Sequence, residues 1–266
     1  MASAVPAAGE GMSVSRVFSR TAAVITENPA TVFGIAFVFG ALPSVLLSWF
    51  LQGISVNMAS DADSRLGYFA VLLASVVVGL ILSALVQGAL VRATLAHDNG
   101  HRATFAESAS TGMQCALPLV GLALLMAIAV GIGWILLIVP GVILYVMWAV
   151  ASPALVAERT GVFGAFGRSR ELTKGARWKV FAVELVIVIV WWLISLVIGV
   201  MIFRMLGIQG MQQFGQHGLP IGWLIGNAVL STIVNAIWST VQTSLYVELR
   251  NWKGGHSEEA LQEIFA

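Results

Sequence analysis

Cysteine is nearly absent: Cys115 is the only one, so the chain cannot form an internal disulfide. At the start of an apolar segment that residue reads as a small hydrophobe. Charge is scarce as well, at 10% of 266 residues against about 25% in soluble domains. With 58% hydrophobic residues and a mean hydropathy of +0.90, that shortage excludes an ordinary water-soluble domain and points to a polytopic membrane protein. No Lys/Arg-rich block is large enough for nucleic acid. Residues 1–12 have neither a basic n-region nor an apolar core, so they read as a disordered tail and not a signal peptide. There is no glycine-rich phosphate loop, no serine-nucleophile elbow and no paired-carboxylate motif. His97 and His101 have metal-ligand spacing, but Gly100 between them breaks the helix and no third ligand is evident. No metal, cofactor or catalytic residue is expected.

What is abundant is hydrocarbon, in runs long enough to cross about 30 Å of bilayer. Residues 13–27 have amphipathic helical spacing and end at Asn28-Pro29. Spans are then predicted at about 31–52, 66–97, 113–139, 140–157, 178–204 and 221–250. A weaker amphipathic stretch, 101–112, precedes the third, and Pro140-Gly141 separates the third from the fourth. The second span has small residues at Ser75, Gly79 and Ser83, a spacing that lets helix backbones approach. The expected organisation is a tail (1–12), one membrane domain (13–253) and a short tail (254–266).

The densest run of charge, residues 158–179, lies between the fourth and fifth spans. As a helix it puts Arg168, Glu171 and Lys174 on one face, with Val162, Ala165, Phe166 and Leu172 largely on the other. A basic amphipathic helix between two spans is expected to lie in the membrane interface, apolar face down. Short similarities around Gly100/Phe105 and Gly161/Phe166 suggest three repeats, each an interfacial helix followed by a helical hairpin. Six spans put both termini and the interfacial connections on one side. That side holds 12 of the 14 Lys/Arg residues, all but Arg65 and Arg204, which predicts that it is cytoplasmic. Arg16, Arg20, Arg168, Arg170, Lys174, Arg177 and Lys179 are the candidate contacts for lipid headgroups or a partner, with Phe18, Phe105, Phe163 and Phe166 as anchors.

The sixth span has a polar face of Asn227, Ser231, Asn235, Ser239 and Gln242. It reads as interhelical hydrogen-bonding glue or as the wall of a hydrated path, and glue is favoured because no row of charges accompanies it. Glu184 lies roughly 7 Å inside the fifth span, near the level of Gln242 and Thr243. It too has a structural and a functional reading.

Two runs resemble a bacterial family. One is Ile138-Val139-Pro140-Gly141-Val142-Ile143-Leu144-Tyr145, continued by Trp148 and by Ala151-Ser152-Pro153-Ala154-Leu155-Val156-Ala157-Glu158. The other is Arg168-Ser169-Arg170-Glu171-Leu172-Thr173-Lys174-Gly175-Ala176-Arg177-Trp178, and Leu245-Tyr246-Val247-Glu248-Leu249-Arg250 adds a similar ending. They resemble the glycerophosphoryl diester phosphodiesterase membrane domain. In some members of that family the domain precedes a catalytic TIM barrel, for which this chain has no room. The resemblance therefore implies a stand-alone integral membrane protein without transferable catalytic residues. It implies a structural hub at Pro140, Gly141, Pro153, Glu158, Glu171 and Trp178. The expected protein is an all-α, six-span protein of the bacterial inner membrane with both termini cytoplasmic. Its expected role is a non-enzymatic scaffold or a module binding membrane lipids, other membrane proteins or itself. The alternative is a small-molecule or lipid transporter or channel using the sixth helix.

Overall fold

The computed structural model describes residues 11–58, 65–217 and 221–265, and among these it is helical with no strand. Six stretches are long and apolar enough to cross a membrane: Pro29–Leu51, Phe69–Asp98, Phe105–Leu136, Ile138–Glu158, Arg177–Met201 and Gly222–Gly254. The chain is thus an all-α membrane protein, as its hydropathy predicts.

Helix α1 (Val14–Glu27) buries Val17, Thr21 and Val24 on one face. It stops at Asn28, and α2 (Pro29–Ile35) begins with Pro29 at a position that needs no N–H donor. A π-helical segment, Ala36–Ala41, leads into α3 (Leu42–Met58), and α4 (Arg65–Asp98) returns. Beyond α4, Gly100 takes a positive φ of 77°. The His101 N–H there donates to the Ala96 carbonyl and the Gly100 N–H to that of His97, closing the helix end.

The expected separate amphipathic helix at 101–112 is instead the first part of one continuous helix, α5 (Phe105–Leu136). Its start is a capping box. The Glu107 N–H donates to Thr104 Oγ1 at 3.2 Å, and the Thr104 N–H donates to Glu107 Oε2 at 3.1 Å. No proline or Asn-Gly pair between 105 and 117 interrupts it. The next break falls at Leu137, in extended conformation, three residues before Pro140, because proline is tolerated in a first helical turn. Helix α6 (Ile138–Met147) then folds back against α5. A Cβ on Gly133 would lie 2.9 Å from Gly141 Cα, and one on Gly141 would run into the Trp134 ring. Only glycines permit that approach.

The fourth span is not one helix. Turns at Trp148–Val150 separate α6 from α7 (Ala151–Glu158). Then come α8 (Gly161–Thr173), α9 (Arg177–His217) and α10 (Ile221–Phe265). The backbone of α10 stays helical through Gly254-Gly255, where the sequence suggested an end. Of the expected tail at 1–12, residues 1–10 lie outside the described residues.

Candidate functional site

The molecule's buried polar contacts gather at one end of the bundle, where α1, α7, α8 and the second half of α10 meet. Helix α8 gets there by its amphipathic pattern, but its apolar face rests on protein. Val162, Ala165 and Phe166 join a core with Cys115, Leu119, Leu122 and Leu155, and Leu172 joins a second core with Leu245 and Tyr246. Phe166 lies 4.7 Å from the Trp148 ring, and Phe18 packs inward from α1. Phe105 stacks on Phe39 at 5.6 Å. Of the four expected phenylalanine anchors, Phe163 is the one that projects freely, at 80% exposure. Neighbouring helices offer the apolar surface that the expectation assigned to lipid.

Carboxylates organise this end. Glu158 Oε1 accepts from Arg168 Nε at 2.8 Å and from the Tyr246 hydroxyl at 2.9 Å. Arg168 also reaches Glu171 at 3.3 Å. The hydrogen bond to Glu158 raises the pKa of the Arg168 guanidinium above its ordinary value, with partial burial opposing it. Glu248, its side chain only 3% exposed, accepts from the Ser13 N–H at 3.1 Å and Arg16 Nε at 2.8 Å. Arg20 pairs with Asp98 at 3.4 Å, His97 Nε2 lies 3.0 Å from Glu27, and Lys179 Nζ donates to the Met12 carbonyl at 2.8 Å. Met12, expected in the disordered tail, is instead buried in the core beside α10.

The break between α6 and α7 is tied into the same hub. It frees the Met147 carbonyl, which accepts from Ser169 Oγ at 3.0 Å and Thr173 Oγ1 at 3.3 Å. Pro153 is buried just beyond the break, whereas Gly141 is buried in the α5–α6 hairpin against Trp134. The two quoted runs therefore fold against each other, and Tyr246 and Glu248 from the third are drawn in.

The seven candidate cations divide. Arg16, Arg20, Arg168 and Lys179 hold protein partners, whereas Arg170, Lys174 and Arg177 are exposed and bond to no described residue. Arg177 and the 83% exposed Trp178 stand beside an apolar groove of about 440 Å³ between α6 and α9. Ile138, Val142, Val146 and Phe181 line it.

The polar residues of the fifth and sixth spans also divide. Glu184 is buried and accepts from the Tyr145 hydroxyl at 3.0 Å, while its Oε1 has no partner among the described residues. Gln242 is buried and accepts from Gln87 at 2.9 Å. Ser239 is buried, Ser231 half-buried, and Asn227 and Asn235 face outward. Glu184 thus finds its partner on α6 and not at Gln242. Among the described residues, no group of three or more His, Cys, Asp and Glu side chains is placed to hold a metal.

Over residues 12–249 the chain matches the family described as Domain of unknown function (DUF7847). The chain belongs to that family. No curated protein and no solved structure matches it. The DUF7847 match begins at buried Met12 and ends at buried Leu249, so it encloses every carboxylate of the hub.

Proposed function

We propose that this DUF7847 protein is a non-catalytic, multi-pass membrane protein that binds anionic lipid at the hub end of its bundle and serves there as a scaffold. The observation that carries this reading is Arg177, exposed and unpaired among the described residues, at an otherwise apolar groove beside exposed Trp178. A groove lined by Val142, Val146 and Phe181 suits an acyl chain, and a guanidinium at its edge suits the phosphate that the chain hangs from. Arg170 and Lys174 extend the positive charge along the same connection. Each cation near an anionic membrane surface contributes about 1 kcal/mol.

The distribution of Lys and Arg supports a cytoplasmic hub end and an inner-membrane location. The resemblance of the hub runs to the glycerophosphoryl diester phosphodiesterase membrane domain supports the same placement, and the kinship itself belongs to this proposal. The transporter alternative draws less support, because Ser239 and Gln242 are packed inside while Asn227 and Asn235 turn outward.

The test is to purify the full chain in mild detergent and identify the retained lipids by native mass spectrometry. The triple variant R170Q/K174Q/R177Q is expected to lose phosphatidylglycerol occupancy by an order of magnitude or more, from about 1 kcal/mol per cation. Equal retention in wild type and variant would overturn the reading.

A further inference from the structure

A second cavity, of about 660 Å³, opens between the end of α4, the beginning of α5 and the end of α7. It is far more polar than the α6–α9 groove. Arg92, Arg159, Glu107, Ser110, Thr111 and Gln114 line it.

Two arginines converge there without a structural employment that explains them. Arg92 lies six residues before the end of α4, roughly 9 Å inside it, in a stretch otherwise apolar enough to span. It forms no hydrogen bond or ion pair with any described residue, an expensive arrangement at the edge of a membrane unless an anion or water meets it. Arg159 arrives by a strained route. It caps α7 in the left-handed region, φ 51° and ψ 32°, and is the one non-glycine with positive φ among the described residues. Glycine is the usual residue at such a cap, and a bulky side chain there costs roughly 1–2 kcal/mol. Among the described residues its guanidinium meets only Gln114 Oε1, at the 3.5 Å limit of a hydrogen bond.

The remaining walls offer donors. The Ser110 hydroxyl accepts from Gln114 Nε2 at 3.2 Å, which leaves its own proton free to donate inward. The Glu107 carboxylate also faces the cavity, but it is partly occupied by the Thr104 N–H. Formal charge on the lining is therefore two positive and one negative. Two guanidinium forks and a hydroxyl on the walls of one cavity match the oxygens of a phosphate better than a single carboxylate, because each fork can engage two oxygens.

We infer that the cavity between α4, α5 and α7 binds a phosphate anion, clamped between Arg92 and Arg159. The ligand chemistry is a phosphate mono- or diester, delivered either as a phospholipid headgroup or as a soluble phosphate. The site does not depend on the α6–α9 groove, and different residues test it.

The full chain is reconstituted in nanodiscs of phosphatidylcholine with and without phosphatidylglycerol. Retained lipid is measured by native mass spectrometry, and binding of inorganic phosphate by calorimetry on the same samples. The variants are R92Q and R159N, the latter because asparagine tolerates the left-handed cap while removing the charge. R92K keeps the charge and loses the fork, and E107Q keeps the capping box while removing the cavity's negative charge. A lipid ligand predicts phosphatidylglycerol retention that falls about tenfold or more in R92Q and in R159N, the scale of one lost hydrogen bond to a charged group. A soluble ligand predicts a saturable phosphate isotherm weakened by the same factor, with lipid retention unchanged. In either case R92K falls between wild type and R92Q, and E107Q binds severalfold tighter. Gel filtration and melting temperature in phosphate-free buffer stay at wild-type values, since neither arginine holds an internal ion pair. The inference is overturned if wild type binds neither probe, or if R92Q and R159N match wild type for both. R92Q and R159N are read in the R170Q/K174Q/R177Q background as well, where the groove's lipid is gone and any phosphatidylglycerol still retained reports this cavity, so failure of the groove and failure of this site are separate results.

Discussion

From Ser239 to Leu249 every residue of α10 is buried, while in the first part of the same helix Ile225, Gly226, Asn227, Val229, Ile233 and Asn235 all face outward. Helix α9 shows the same contrast in reverse order. Val180, Val183, Glu184 and Ile187 are buried, and beyond Ile187 no described residue of α9 is. Helix α4 stays open as far as Ser83 and closes from Ala84 onward. The two ends of the bundle are thus held by different forces. In a bilayer the hydrophobic effect does not press helices together, since lipid is as apolar as leucine. What draws them together is hydrogen bonding and close packing, and the carboxylates, tyrosines and hydroxyls that supply the hydrogen bonds lie at the hub end. At the far end Ile135, Leu136 and Leu137 are left to acyl chains.

That contrast is most severely broken at Glu248. Replacing it by alanine removes the carboxylate from Arg16 Nε and the acceptor from the Ser13 N–H. Loss of a buried ionic partner costs about 3–5 kcal/mol, and half-exposed Arg16 places the effect near the lower figure. Hydrogen exchange should show α1 released selectively, and unchanged protection over Val14–Glu27 would refute this. Glu158→Ala comes next, at about 2–3 kcal/mol, because Tyr246 loses its acceptor and Arg168 retains only exposed Glu171. The double variant with Arg168→Met should lose less than the sum, and full additivity in a melting-temperature cycle would show that the two side chains act independently.

Gly141→Ala probes close packing between α5 and α6, where no side-chain hydrogen bond joins the two helices among the described residues. Its Cβ would collide with the Trp134 ring, so about 1–3 kcal/mol of overpacking is expected. Pairing it with Trp134→Ala should recover part of the loss, and absence of any recovery would remove this account of the hairpin. The smallest effect belongs to the open region. Asn235→Leu gives up a side-chain bond to the Ser231 carbonyl within its own helix. The change should stay within about 0.6 kcal/mol, the typical size of a polar contact inside a membrane. A loss of several kcal/mol would mean that Asn235 meets a partner, and the contrast between the two ends would then need redrawing.

The six spans were legible because crossing hydrocarbon demands long apolar runs, and nothing else in the chain resembles them. The importance of residues 138–179 was also legible, as a motif. Its mode of assembly was not. Tyr246 lies 88 residues from Glu158 and Arg16 lies 232 from Glu248, and no local periodicity connects such pairs. The break at Trp148–Val150 is marked in sequence by Pro153 alone, placed in the first turn of α7 as Pro140 is in that of α6, and its freed carbonyl depends on Ser169 and Thr173 arriving from another helix. The continuity of α5 was misread because polar residues at 107–111 suggested a separate element, although the Thr104–Glu107 capping box already marked the helix start. Arg92 escaped notice for a different reason. One cation near a helix end looks like an ordinary snorkelling side chain until the cavity beside it is seen.

The bond from Ser13 to Glu248 spans 235 residues. Helix α1 leaves the ribosome long before α10, so its Ser13 end must wait for Glu248 before it can dock. Until then Val17 lacks the α10 side chains it packs against, whereas Val24 already has α2 and α4. Biogenesis of this protein is the closing of a ring, and a polypeptide arrested anywhere before α10 is a fold without its latch.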